Sequence, residues 1–90
     1  MKLFGFDSFH GMRHFRQIEL DALAAGDALA FYEAMIRFQG CFYREMLALL
    51  AQFRELGLTD ASRDIRSLKK DCLEMLKRIS ETRAILEGLR

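Results

Sequence analysis

Apolar residues recur in alternating steps of four and three along the last third of the chain. Ala61, Ile65, Leu68, Cys72, Met75, Ile79, Thr82, Leu86 and Leu89 form an unbroken seam of this kind. Such a period keeps one narrow stripe of a helix turned toward a neighbour. Leu73, Leu76 and Ile85 widen the stripe at its edges, and Arg63, Arg66, Lys70, Glu74, Lys77 and Glu81 read as the solvated face. The middle third behaves differently. Leu29, Phe31, Tyr32, Met35, Ile36, Phe38, Phe42, Tyr43, Met46, Leu47, Leu49, Leu50, Phe53 and Leu56 spread over well over half of a helix circumference. Only a strip near Glu33, Arg37, Gly40, Arg44, Ala48 and Glu55 is polar or small. A helix apolar on that much of its surface needs cover on more than one side.

Two breaks divide the pattern. In "AAGDA" (24–28), Gly26 suits a left-handed helix end and Asp27 suits the N-cap that follows. In "LGLTDAS" (56–62), Gly57 reads as the next helix end, Leu58 as the apolar residue beyond it, and Thr59 or Asp60 as the next N-cap. The expected helices are therefore about 9–25, 28–56 and 60–88, in one domain spanning 1–90. A link of a few residues makes the two long helices antiparallel neighbours, each about 40 Å long. The expected fold is all-α: an antiparallel helical hairpin with a short N-terminal helix, closing into a dimeric helical bundle.

Composition sharpens this picture. Proline and valine are absent and threonine occurs twice, so strand-forming material is scarce. Apolar residues make up 51% of the chain. That is more than a helical monomer of this size hides readily, which points to self-association or a partner protein. The 14 basic and 13 acidic residues are spread in both signs, so no basic face marks a nucleic-acid binder. No apolar run is long enough to cross a membrane, and Gly5, Asp7 and Ser8 break the apolar start, so no signal peptide is read there. The expectation is a cytoplasmic protein in which Cys41 and Cys72 are reduced, buried and structural.

Candidate chemistry concentrates at the start. "FGFDSFHGMRHF" (4–15) holds Phe4, Phe6, Phe9 and Phe15, and both histidines of the chain. His10 and His14 stand four apart, a spacing used by zinc ligands, but two ligands do not make a zinc site and no third is placed by the sequence. With Lys2, Arg13 and Arg16 the segment also fits an interfacial membrane anchor, although Asp7 interrupts it. The favoured reading is an aromatic arm at 1–8 that covers apolar surface, in the same chain or in a second one. Phosphate-loop, nucleotide-fold and Ser-His-Asp patterns are absent. No enzymatic activity and no cofactor are expected.

The phrases "DALAAGDALAFYEAM" (21–35), "REMLALLAQF" (44–53) and "IRSLKKDCLEMLKRISETRAIL" (65–86) resemble the helical hairpin of small flagellar type III export chaperones. The resemblance covers about 21–86 and is one of pattern. The aromatic arm is outside it, and Ala28 or Leu29 stands where that group often has tryptophan. It implies a non-enzymatic protein that holds an amphipathic segment of an export substrate in an apolar groove. The residues expected to do so are Phe31, Met35, Phe38, Phe42, Met46 and Leu49, on a face the last helix does not fully cover. The same six would form the interface of a homodimer. The alternatives are a metal- or cofactor-binding helical protein using His10 and His14, and a protein associated with a membrane surface.

Overall fold

The computed structural model describes residues 8–90, with side chains from residue 11 onward. It consists of three helices: α1 (Ser8–Ala25), α2 (Ala28–Glu55) and α3 (Arg63–Leu89). No strand occurs among the described residues, so the chain is all-α. Apart from Ser8, the arm read at 1–8 lies outside the described residues, as does the side chain of His10.

The first corner is built from two motifs fused back to back. Gly26 adopts φ +70°. Its amide donates to the Leu23 carbonyl, and the Asp27 amide donates to the Ala22 carbonyl at 2.9 Å. Those two bonds are the pair that closes a helix through a left-handed residue. Asp27 also opens the next helix. One of its carboxylate oxygens accepts from the Ala30 amide at 3.1 Å, capping α2. The second corner repeats the closing motif. Gly57 (φ +89°) donates to the Arg54 carbonyl and Leu58 to the Phe53 carbonyl.

α3 begins three residues later than the helix expected at about 60. Thr59 and Asp60 do not cap it. The Thr59 hydroxyl accepts from the Ala61 amide, and its carbonyl accepts from the Ser62 amide at 2.8 Å, so 59–62 form a separate turn. Asp60 is occupied by cations, with Lys69 Nζ at 3.0 Å and Arg54 at 3.4 Å. Ser62 becomes the N-cap without a side-chain bond, and Asp64 supplies the negative charge favoured in a first helical turn.

The hydrogen bond and charge of Lys69, helped by Arg54, hold the Asp60 carboxyl below its ordinary range. A depressed carboxyl stabilises the fold above its unfolded pKa, near 3.9, and that contribution is lost as pH falls through the folded value. The site is exposed, so the effect is small and screened. The thermal midpoints of wild type and Asp60→Asn are expected to differ at neutral pH in low salt. They should draw together as the pH falls from about 4 through the lowered Asp60 value, and in molar salt. A gap that is independent of both pH and salt would contradict this account.

α1 and α3 each pack on α2, and among the described residues they do not pack on one another. The middle of the α3 seam buries as its period predicts: Ile65, Leu68, Cys72, Met75, Thr82 and Leu86 are buried and Ile79 is half-buried. The two ends of the predicted seam, Ala61 before the helix and Leu89 at its last turn, are exposed. Leu68, Cys72 and Met75 cluster with Met46, and Tyr43, Leu50, Phe53 and Ile79 pack around them. Thr82 satisfies its hydroxyl by donating to the Arg78 carbonyl at 2.9 Å, and Met35 Sδ lies 3.9 Å away. Residue numbers fall along α2 as they rise from the 59–62 turn through α3 to the residue after it, from Arg54 beside Asp60, through Met35 beside Thr82, to Glu33 beside Arg90. On the other side, Arg16 lies over the Phe38 ring at 5.9 Å and Arg37 over the Phe15 ring at 5.7 Å. The overall extents are 47 × 25 × 19 Å. α2 alone spans roughly 42 Å at 1.5 Å per residue, so the long dimension is the helix direction.

Candidate functional site

Because α1 and α3 flank α2 without meeting, a strip of α2 faces outward between them. That strip is a valley with an apolar floor. Of the six residues expected to bind a partner, Phe31, Phe38, Phe42 and Leu49 reach it from one side of α2. Phe31 lines a depression with Ala22 and Leu23 at the corner end. Phe38 and Phe42 share a depression of about 410 Å³ with Met12, Arg13, Arg16 and Gln17 of α1. Phe42 also borders a depression with Leu68, Met75, Asp71 and Glu74 of α3, and another with Leu49 and Gln52. Phe42 thus stands where the three meet, and its ring stacks on Phe38 at 6.4 Å. Met46 is buried in the α2–α3 core and reaches only the floor, and Met35 lies against Thr82 of α3.

The valley is left incompletely covered. Every described aromatic ring (Phe15, Phe31, Tyr32, Phe38, Phe42, Tyr43 and Phe53) is half-buried or exposed, and none is fully enclosed. Aromatic rings carry the largest apolar area of any side chain and ordinarily dominate a core. Phe42 and Leu49 each remain 40% exposed. Ile65 is the only large side chain wholly buried among the described residues. The depressions are open troughs, so a small molecule lying in one would keep much of its surface in water, unlike ligands in enclosed pockets.

The rims are charged; the sequence marks Arg13 and Arg16 only as the basic flank of an anchor and Glu74 only as part of a solvated face, with nothing to place them beside this valley. On the α1 side stand Arg13 and Arg16. Arg16 is held by Glu19 at 2.9 Å, and Glu19 is buried although it is a carboxylate. The signal available in the sequence was the Arg-x-x-Glu spacing on the apolar side of α1. On the α3 side stand Asp71 and Glu74, with Arg78 beyond them.

The remaining candidates fall elsewhere. His14 is exposed and packs edge-on against Phe15, with ring centroids 5.3 Å apart. Among the described residues, no group of three His, Cys, Asp or Glu side chains is placed to hold a metal ion. No helix among them is long and apolar enough to cross a membrane. Cys41 and Cys72 are free and buried. Burial pushes both thiols up; at Cys41 Glu45 adds to this and Arg44 opposes it, and at Cys72 Asp71 adds to it. Raised, enclosed thiols are poor nucleophiles. A thiol reagent at pH 8 is therefore expected to label the native protein slowly and both cysteines rapidly in denaturant. Rapid native labelling of either one would show that its helix interface opens.

Comparison with protein-family models, with curated proteins and with solved structures returns no match for this chain.

Proposed function

We propose that the protein is a non-enzymatic interaction module. α2 and α3 form an antiparallel hairpin, α1 lies along its other side, and the valley between α1 and α3 takes an amphipathic helix. The observation that supports this reading most strongly is the row of incompletely covered rings on the valley floor, above all Phe42 at the meeting of three depressions. An amphipathic helix would cover them with residues spaced three and four apart, as in helix-in-groove recognition. Methionine at Met12 and Met46 gives the floor a soft, adaptable surface suited to that role. An export-chaperone-like role in the cytoplasm, holding an amphipathic helix of a substrate, fits the same groove, as does a dimeric bundle.

The test is cross-linking mass spectrometry on tagged protein recovered from its source cells, comparing wild type with Leu49→Asp. Leu49 is exposed, so the substitution should leave the circular dichroism spectrum and thermal midpoint nearly unchanged. Cross-links from valley residues to a helical segment of another chain, lost in Leu49→Asp, are the expected result. A chain that stays monomeric and forms no such cross-link would overturn the reading.

A further inference from the structure

We infer that a second copy of this chain occupies the valley, about a two-fold axis parallel to α2, so that α1 of each copy lies over α3 of the other. The inference rests on the reading of the valley as a docking groove and names its occupant.

The rims decide the matter. At the level of Phe42, one wall carries Arg13 and Arg16 and the other carries Asp71 and Glu74, with Arg78 one turn farther along α3. Both walls border the same ring, so the two sets of charge stand at one height along α2. With Arg16 held by Glu19, Arg13 is the uncompensated positive charge of the α1 wall, and the α3 wall is net negative. A closed pair of identical chains uses the same patch twice, which requires a surface complementary to itself. Two valleys facing one another have two simple choices of axis in the plane between them. An axis across the helices sets α1 on the partner's α1 and brings Arg13 and Arg16 against their own copies. An axis along the helices keeps each residue at its height and exchanges the walls, which sets Arg13 against the partner's Glu74 and Asp71. Both choices bring one Phe42 ring onto the other and cover the apolar floor. Charge therefore selects between them: like charges set opposite one another oppose association, and complementary rims fix register and orientation.

Among the described residues, Glu74 and Asp71 make no ion pair with α1 of their own chain. Arg13 has no ion pair among the described residues. Among the described residues these three charges are thus not held across the valley, whereas Arg16 is engaged by Glu19 and by the Phe38 ring.

The experiment uses full-length Arg13→Cys and Glu74→Cys, each alone and mixed, under mild oxidation with wild type as control. All samples are also measured by sedimentation equilibrium. Cys41 and Cys72 are buried, so the wild-type background should be low. The expected result is a disulfide-linked dimer in the mixture, well above either variant alone. Arg13→Glu should weaken dimerisation about tenfold, and a chain also carrying Glu74→Arg should recover most of it. Cross-linking of Arg13→Cys with itself, in place of the mixture, would show the other axis and overturn this inference while leaving the groove reading intact. A wild-type chain that remains monomeric at high micromolar concentration would exclude a second copy as the occupant; the Leu49→Asp comparison then judges the groove reading separately.

Discussion

Replacing Ile65 by alanine is expected to lower the unfolding free energy by about 2–4 kcal/mol, the largest loss from any single apolar truncation in the seam of α3. Ile65 has no solvent-exposed surface, and it lies one turn before Leu68 on the face that meets α2. Truncation removes the transfer energy of three carbons and leaves a cavity between helices that cannot close without shifting a backbone. A domain of this length holds roughly 5–13 kcal/mol in total, so the variant forfeits a large share. The thermal midpoint should fall by more than about 8 °C. Leu73 supplies the control, because it is 68% exposed and Leu73→Ala should cost less than about 0.5 kcal/mol. Equal losses at the two positions would mean that the seam does not face α2 as described.

Phe42→Asp is expected to have the opposite profile: little change in the fold of the single chain and loss of the association proposed through the valley. A buried phenylalanine contributes about 1.5–3 kcal/mol through the water it sheds, and a carboxylate in its place must itself be desolvated. Association through the valley should weaken by about a hundredfold or more. Sedimentation velocity measures this directly, and circular dichroism confirms that helix content is kept. Phe53→Ala makes the useful contrast, since Phe53 packs on the Met46–Leu68–Cys72–Met75 cluster and its loss should act on stability instead. Were Phe42→Asp to unfold the chain while association per folded molecule stayed unchanged, the ring would be core and not interface.

Much of the architecture was legible because helix periods and helix ends are local signals. The seam from Ile65 to Leu86 buries where its steps of four and three place it, and Gly26, Asp27 and Gly57 perform the roles their chemistry suggests. The start of α3 was harder to read, because Thr59, Asp60 and Ser62 are all capable caps. The choice among them turned on Lys69 and Arg54, which compete for Asp60 from positions nine residues later and six earlier. The valley itself was visible only as an excess: the arc of α2 was plainly too wide for one neighbour. Which residues open onto it depends on the angle between α1 and α3 around α2. That angle moved Met46 into the core and left Phe42 outside it, although both belong to the same stripe in the sequence. The charged rims depend on the same angle, and no spacing along one helix reveals that Arg13 and Glu74 border the same ring.

The arrangement of α1 and α3 on opposite sides of α2 also sets how the chain comes to be folded. Among the described residues, every contact between helices joins neighbours in sequence, so no helix pairing there requires a distant part of the chain to be found first. Chains with such local wiring fold in microseconds to milliseconds. The same wiring lets α1 open from α2 without disturbing a single α3 contact. Amide exchange in α1 is therefore expected to proceed through openings smaller than global unfolding, and to be faster than exchange at the centre of α2, where both neighbours must leave before the backbone meets water.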